Sequence, residues 1–305
     1  MILAPVVLFT FNRPIHTKKT LEALLKNDLA IKTKLYVFSD GPRNAAEALK
    51  VKEVREVIQY FKSQNKFLDF EVFESDLNNG LASSIINGVA KIFSTHEKVI
   101  VLEDDLLTSV DFLKFMNSTL DKYSNNNNIG CITGYNPLRE VPVSYQKDIY
   151  FSTRTNSLGW GTWKNVWDNV DWQAKEYKSF KKSFKQRLLF NQTGFDRAKR
   201  LDMQMLKDAK SWSILFGFDN FINNLYTVYA TNSKIIHIGW DGSGTHVEQG
   251  IDKFNDTHKI STYPLVFPEK IILDKNMIKL QRNLFGSGVI VRIKDFLVFI
   301  KNNIF

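Results

Sequence analysis

The 305-residue sequence has almost no cysteine and no long apolar run. Its single cysteine, Cys131, cannot form an intramolecular disulfide, which favours a reducing compartment, and its apolar surroundings predict a small buried side chain. No stretch of about 18 apolar residues occurs, so the sequence predicts no membrane-spanning helix. The segment Met1–Phe11 lacks a basic start and a small-residue cleavage site, so we expect a first strand here rather than a signal peptide.

The charge balance is basic, with 41 Lys and Arg against 32 Asp and Glu and a formal net charge of +9. This excess suits nucleic acid, anionic lipid or a phosphorylated small molecule. The sequence has no zinc-ligand cluster, RNA-binding signature or long basic run, so we expect no nucleic-acid partner. The 24 Phe and six Trp predict a sizeable core.

The first third of the chain alternates short apolar segments with amphipathic helical patterns. The predicted strands are Val6–Phe11, Leu35–Ser39, Phe70–Glu74 and Val99–Leu102. The predicted helices between them are His16–Leu25, Ala45–Phe61 and Leu81–Phe93. This alternation is typical of an α/β fold with a mostly parallel central sheet and flanking helices, in which ligands bind at the carboxyl ends of the strands.

After about residue 130 the pattern becomes irregular, and two of its aromatic residues are candidate ligand contacts. Trp160 and Trp163 are interleaved with glycine, so they either stack on sugar rings of an acceptor or belong to the core, which is the more common outcome. In the glycine-rich loop at residues 239–246, His246 has three possible roles. It completes a metal site, contacts phosphate, or forms its hydrogen bonds within the loop. Residues 286–305 place apolar and basic side chains at helical spacing, which predicts a tail that either lies on a membrane surface or packs on the core.

The acidic triplet Glu103-Asp104-Asp105 follows a predicted buried strand directly. Three adjacent carboxylates repel one another and are costly to bury. A divalent cation would remove that cost, and oxygen ligands suit Mg²⁺ or Mn²⁺. The alternative is an exposed acidic turn or a helix N-terminus. The preceding strand and the other polar strand ends favour the metal site.

The segment Val99–Phe112 resembles the strand and Glu-Asp-Asp motif of N-acetylglucosaminyltransferase I and its bacterial relatives. Further segments across residues 4–248 are similar to the same family; they are Pro5–Pro14, Tyr36–Arg43, Asn78–Val89, Leu158–Trp167 and residues 238–246. The resemblance implies a GT-A fold, which is a Rossmann-like central sheet plus a smaller acceptor-side region. It also implies an inverting mechanism and a UDP-type sugar donor bound with Mn²⁺ or Mg²⁺.

Carried over by position, the resemblance implies a role for each matching residue. Asp105 would be the direct metal ligand, joined in our prediction by His246, while Glu103 and Asp104 would lie near the donor sugar and ribose. The nucleotide pocket would be lined by Thr10, Asn12, Arg13 and Asp40, with Asn79 and Ser84 close to the base. Residues 1–130 would form the nucleotide-sugar half, 131–270 the acceptor half with Trp160 and Trp163, and 271–305 a C-terminal helical tail.

One departure from the family concerns the general base. Inversion requires a carboxylate to take the proton from the acceptor hydroxyl. In relatives, an acidic residue lies within or just before a Trp-containing segment that resembles residues 210–213, where this chain has lysine and serine. Asp208 and Asp219 are the nearest candidates, Asp241 lies in the later loop, and Asp208 is preferred.

The sequence therefore predicts an inverting, metal-dependent glycosyltransferase that acts on a glycan or lipid-linked glycan in cell-surface polysaccharide or lipopolysaccharide synthesis. We expect a cytoplasmic protein, peripheral at the inner face of the cell membrane through residues 286–305. A sugar nucleotidyltransferase is one alternative, but Phe11–Pro14 is not the glycine-rich basic loop that such an enzyme requires. The second alternative is a catalytically inactive protein that binds carbohydrate or nucleotide.

Overall fold

The computed structural model describes residues 2–207, 209–242 and 258–286. Three predictions fall outside these ranges: the candidate base Asp208, the candidate metal ligand His246, and the membrane-facing tail beyond residue 286. Across the ranges that are described, no helix is long and apolar enough to cross a membrane.

The described residues form ten strands and ten α-helices. The strands are β1 (Val6–Thr10), β2 (Lys34–Ser39), β3 (Asp69–Glu74), β4 (Lys98–Glu103), β5 (Leu106–Thr108), β6 (Ile129–Thr133), β7 (Ile149–Ser152), β8 (Trp160–Trp163), β9 (Tyr226–Ala230) and β10 (Ile235–His237). The helices are α1 (Pro14–Leu25), α2 (Ala45–Ser63), α3 (Leu81–Phe93), α4 (Phe112–Lys122), α5 (Lys164–Trp167), α6 (Tyr177–Lys182), α7 (Phe184–Phe190), α8 (Asp196–Lys207), α9 (Trp212–Ile222) and α10 (Lys275–Leu284).

Eight of the strands form one central sheet in the order β3-β2-β1-β4-β8-β6-β9-β7. Strands β1 to β4 are mutually parallel, and β8 pairs antiparallel with both β4 and β6, so β6 and its parallel neighbour β9 run in the same direction as β4. Six of eight strands therefore share one direction. The predicted α/β fold with a mostly parallel central sheet is confirmed, and strands from both predicted halves lie in this one sheet.

Alternating side chains of each strand pack into two cores, one on either face of the sheet. Val6 and Leu8 of β1 face a core that includes side chains of α1, α2 and α4. Val7 and Phe9 face the opposite core, which includes side chains of α3 and α9. Every residue of β1 is buried because both faces are covered, which explains its continuous apolar sequence.

Local signals determine where the helices near the carboxyl edge begin. Helix α1 begins at Pro14, whose fixed φ and missing N–H suit the first helical position. Helix α2 is capped by Asn44, whose side chain accepts a hydrogen bond from the backbone N–H of Glu47. Helix α3 follows Gly80, which has a φ of 75°, a conformation that favours glycine.

Candidate active site at the carboxyl edge of the sheet

The carboxyl ends of β1, β2 and β4 lie side by side, because the strands pair in register. Thr10 at the end of β1 pairs with Ser39 of β2, and Phe9 pairs with Glu103 at the end of β4. The residues that follow these strands therefore meet at one edge of the sheet. They include Asn12 and Arg13 after β1, Asp40 after β2, and Asp104 and Asp105 after β4.

Arg13 joins the end of β1 to the acidic triplet. Its Nη2 lies 2.6 Å from Asp104 Oδ1 and 2.9 Å from Asp105 Oδ2, so one guanidinium nitrogen bridges two carboxylates. Burial by itself would lower the pKa of Arg13, but the charges and hydrogen bonds of the two aspartates outweigh it and raise the pKa. The Nη1 atom of Arg13 is buried and has no hydrogen-bond partner among the described residues.

The three carboxylates differ in their protonation. Burial, reinforced by the charges of Asp105 and Asp104, raises the pKa of Glu103 to about 8. Burial also raises the pKa of Asp104 to about 7, although Arg13 opposes the change. Burial acts in the same direction on Asp105, but hydrogen bonds and charges from His237 and Arg13 outweigh it and lower that pKa. The pKa shifts therefore favour the ionised form at Asp105 and oppose ionisation at Glu103 and Asp104.

His237 reaches the site through a second, two-stranded sheet. Strand β10 pairs antiparallel with β5, which places His237 opposite Leu106. Its Nε2 lies 3.2 Å from Asp105 Oδ2, and the backbone N–H of Ile238 donates to the Asp105 carbonyl at 2.9 Å. This contact depends on the pairing of β10 with β5, which cannot be read from periodicity.

Gly239 allows this segment to close over the acidic triplet. A Cβ at this position would collide with Asp105 Oδ2 and would lie 2.8 Å from His237 Nε2. The glycine at this point of the loop is therefore explained by the close approach of backbone to carboxylate.

The donor atoms at this edge suit a divalent cation. The carboxylate of Glu103 makes no hydrogen bond or ion pair with any described residue, while Asp104 and Asp105 share one arginine. Hard oxygen ligands of this kind fit Mg²⁺ or Mn²⁺. In the part of the chain that is described, no group of three or more His, Cys, Asp or Glu side chains already has a metal-binding arrangement. The role of Asp105 as a metal ligand therefore stays a prediction.

Asp40 holds the loop that leads into α3. Its carboxylate accepts hydrogen bonds from the backbone N–H groups of Asn79 at 2.9 Å and Gly80 at 3.0 Å, and from Asn78 Nδ2 at 3.1 Å. Asn79 also donates through its side chain to Ser75 Oγ at 2.9 Å. This geometry makes Asp40 a residue that positions the loop, whether or not it also contacts a base.

The other predicted donor-site residues lie around the same edge. Thr10 is buried, and its hydroxyl donates to the carbonyl of Phe38 at 3.3 Å. Asn12 donates to Glu47 Oε1 at 3.2 Å, and Ser84 lies half-buried in the first turn of α3. Their roles toward a nucleotide stay predictions.

The two tryptophans predicted to contact an acceptor belong to the core instead. Trp160 is 1% exposed and packs against Trp167 and Trp212, with ring centroids 5.5 and 5.0 Å away. Trp163 is 6% exposed and pairs with Lys98, the first residue of β4, so it lies at the amino edge of the sheet. Neither ring presents a free face to a sugar at the carboxyl edge, so this prediction was wrong.

Asp219 also lies at the wrong edge of the sheet to act as the general base. It is located near the carboxyl end of α9, beside the first residues of β6, and accepts a hydrogen bond from the backbone N–H of Asp171 at 2.9 Å. The acidic triplet follows the opposite end of β4. Helical periodicity alone does not indicate which end of a helix faces a site, so the sequence could not exclude Asp219.

No family model and no curated protein sequence matches the chain. Among solved structures, the chain is similar to S. aureus TarS, with 15% identity, a TM-score of 0.44 and coverage of 75% of this chain and 37% of that one. It is also similar to UDP-glucose pyrophosphorylase complexed with UDP-glucose, with 12% identity and a TM-score of 0.38. That match covers 75% of this chain and 90% of the pyrophosphorylase chain. The chain thus spans little more than a third of the length of TarS. Because both TM-scores are low, we infer function from the geometry of the chain's own residues.

Proposed function

We propose that this chain is an inverting, metal-dependent glycosyltransferase of the GT-A fold that transfers a sugar from a nucleotide diphosphate donor, preferably a UDP-sugar, to a glycan acceptor. The observation that carries the proposal is the meeting of three carboxylates with one bridging arginine at the carboxyl edge of parallel strands. In α/β sheets this edge is where ligands bind. The sequence resemblance around the acidic triplet supports the same reaction.

Arg13 would bind the diphosphate of the donor. Its Nη2 donates to both aspartates, while Nη1 is buried without a partner in the described part of the chain. A phosphate oxygen would satisfy Nη1, and a guanidinium can bind such oxygens through two nitrogens at once. Arg13 would then offset negative charge on the departing diphosphate.

Asp105 is the described residue that would hold a divalent cation directly, with Glu103 and Asp104 beside it near the donor sugar and ribose. The lowered pKa of Asp105 favours the ionised carboxylate, which is the form that binds a cation. When bound, the cation supplies charge neutralisation at the diphosphate. His237 would keep Asp105 oriented through its hydrogen bond to Oδ2.

The loop held by Asp40 would position the nucleoside. Its backbone is fixed by the bonds from Asn79 and Gly80 to the Asp40 carboxylate, so the polar side chains of Asn79 and Ser84 lie at the start of α3. Fixed polar groups of this kind reduce the ordering cost of binding.

A carboxylate would complete the reaction by accepting the proton of the acceptor hydroxyl. The hydroxyl oxygen then bonds to the anomeric carbon of the donor sugar, and the bond from that carbon to the diphosphate breaks on the opposite face. With Asp219 located at the other edge, Asp208 and Asp241 are the remaining candidates, and Asp208 is preferred; Asp241 pairs with His16 of α1 at 3.1 Å. We propose that the acceptor belongs to cell-surface polysaccharide or lipopolysaccharide synthesis, that the enzyme works on the cytoplasmic side, and that residues 286–305 contact the membrane surface.

The two alternatives make different predictions at this site. A sugar nucleotidyltransferase would use a glycine-rich basic loop after β1, whereas here α1 begins at Pro14, soon after the strand ends at Thr10. An inactive binding protein would bind the donor nucleotide without hydrolysis or transfer of its sugar.

Calorimetric titration of UDP, GDP and CDP, with and without Mn²⁺, tests the proposal. We expect one nucleotide to bind only with Mn²⁺, and Asp105→Ala to abolish that binding. Release of free UDP from a UDP-sugar would then separate an active transferase from an inactive binder. If none of the three nucleotides binds under either condition, the proposed function is wrong.

A further inference from the structure

A cleft of about 440 Å³ opens at the amino edge of the sheet, beside the first residue of β6, the last residue of β8 and Leu225, which precedes β9. Its size is within the usual range of small-molecule sites. The cleft belongs to neither the acidic triplet nor the loop of Asp40, since those follow the opposite ends of the parallel strands.

Amide side chains dominate the lining of this cleft. Its polar side chains include five asparagines and one aspartate: Asn126, Asn127, Asn165, Asn169, Asn223 and Asp219. No lysine or arginine lines the cleft, although the chain carries a net charge of +9. The described lining is therefore rich in neutral hydrogen-bonding groups and poor in charge.

Several of these groups are held in place with hydrogen-bonding capacity to spare. Asn169 Nδ2 donates to the carbonyl of Asn165 at 2.7 Å, and Asn223 Nδ2 donates to Asp219 Oδ2 at 3.2 Å, which leaves both amide oxygens available. The side chains of Asn127 and Asn165 are exposed and make no hydrogen bond to any described residue. These four amides offer donors and acceptors side by side.

We propose that this cleft binds a neutral carbohydrate. A sugar hydroxyl both donates and accepts, and adjacent hydroxyls match the paired donor and acceptor of an amide. The apolar side chains of Val166 and Leu225 in the same lining can contact the C–H face of a sugar ring. An anionic ligand is disfavoured, because the lining contributes the carboxyl group of Asp219 and includes no lysine or arginine among the described residues.

The site is independent of the proposed reaction, since neither nucleotide nor metal takes part in it. Two side chains that the sequence had suggested for the active site, Trp163 and Asp219, both line this cleft. The buried indole nitrogen of Trp163 has no hydrogen-bond partner within the described residues.

The test is direct binding of oligosaccharides to the full chain without donor or metal. Saturation-transfer NMR and calorimetry would use maltoheptaose and chitopentaose as neutral probes and a heparin-derived oligosaccharide as the anionic probe. The double variant Asn127→Ala/Asn165→Ala removes two exposed amides with little risk to the fold. Asn276→Ala, an exposed asparagine of α10 outside the cleft, is the matched control.

We expect at least one neutral probe to bind, and the double variant to weaken it by about tenfold, as the loss of two hydrogen bonds predicts. Asn276→Ala and Asp105→Ala should bind that probe as the unchanged chain does. The proposal is overturned if no neutral probe binds at millimolar concentration, if the double variant binds equally well, or if only the anionic probe binds. Failure of nucleotide binding would leave this result intact, so the two proposals can fail separately.

Discussion

The two edges of the central sheet present opposite chemistry. The carboxyl edge collects Glu103, Asp104 and Asp105 around one half-buried arginine, whereas the amino-edge cleft is lined by five asparagines and a single carboxylate. Both edges belong to the same eight strands, so the fold alone does not determine which ligand each edge binds. The side chains at the strand ends determine it.

The difference between the edges has an energetic consequence. Buried carboxylates with too few partners are costly, and the raised pKa values of Glu103 and Asp104 reflect that cost. Amides at the other edge carry no such cost, because they are neutral and exposed. We therefore expect ligand binding to stabilise the fold strongly at the carboxyl edge and weakly at the amino edge.

Removing Arg13 should have the largest effect. Arg13→Ala leaves Asp104 and Asp105 without their shared cation, and breaking a buried ion pair costs about 3 kcal/mol of unfolding free energy. Nucleotide affinity should fall on the order of 30-fold or more, since charge-assisted hydrogen bonds to phosphate are lost. Chemical denaturation and calorimetry measure the two effects.

Arg43→Ala is the matched control for Arg13. Arg43 pairs with Glu47 at the exposed start of α2, and such surface pairs contribute at most about 1 kcal/mol. Equal destabilisation by the two substitutions would contradict the view that Arg13 is the organising cation of the acidic site.

Neutralising Glu103 should produce a smaller and pH-dependent gain in stability. The pKa of Glu103 is about 8 in the folded chain, against an ordinary value of 4.5. Between these two pH values the folded state keeps the carboxyl group of Glu103 protonated, whereas the unfolded state has lost that proton. The unchanged chain should therefore lose stability as pH rises from about 4.5 to about 8, and Glu103→Gln should remove that loss.

Thermal unfolding in EDTA at pH 5 and pH 9 measures this effect. At pH 9 the variant should unfold about 2 °C or more above the unchanged chain, which corresponds to about 1 kcal/mol, and at pH 5 the difference should nearly vanish. Glu53→Gln, on the exposed surface of α2, should show no such pH dependence. A variant that is less stable than the unchanged chain at pH 9 would contradict the electrostatic account.

Changing Asp219 should have the smallest effect on the carboxyl edge. Asp219→Asn keeps an oxygen that can accept the hydrogen bond from Asp171, so stability should change by no more than about 1 kcal/mol. Nucleotide affinity and sugar transfer should change less than about twofold, because Asp219 lies at the opposite edge. Loss of transfer with an intact fold would restore Asp219 as the base.

The fold of the first third was predictable because its signals are local. The apolar run before Glu103 and the helical pattern of Leu81–Phe93 each depend on neighbours in sequence, and both elements occur where the pattern indicates. The acidic triplet could be recognised because three carboxylates after a buried strand are costly without a ligand.

The second half was less predictable because its key positions depend on pairing across the sheet. Strand β8 inserts antiparallel between β4 and β6, which directs Trp160 into one core and Trp163 to the amino edge. The contact of His237 with Asp105 depends on pairing between β10 and β5, over a separation of more than 100 residues. Neither pairing leaves a periodic signal in the sequence.

The most direct test compares the two edges in one experiment: calorimetric titration of UDP with Mn²⁺ into the unchanged chain, Asp105→Ala and Asn127→Ala/Asn165→Ala. The account predicts one Mn²⁺-dependent site in the unchanged chain, its loss in Asp105→Ala, and full retention in the asparagine variant. Binding that survives Asp105→Ala but is lost in the asparagine variant would place the nucleotide at the amino edge and contradict the account.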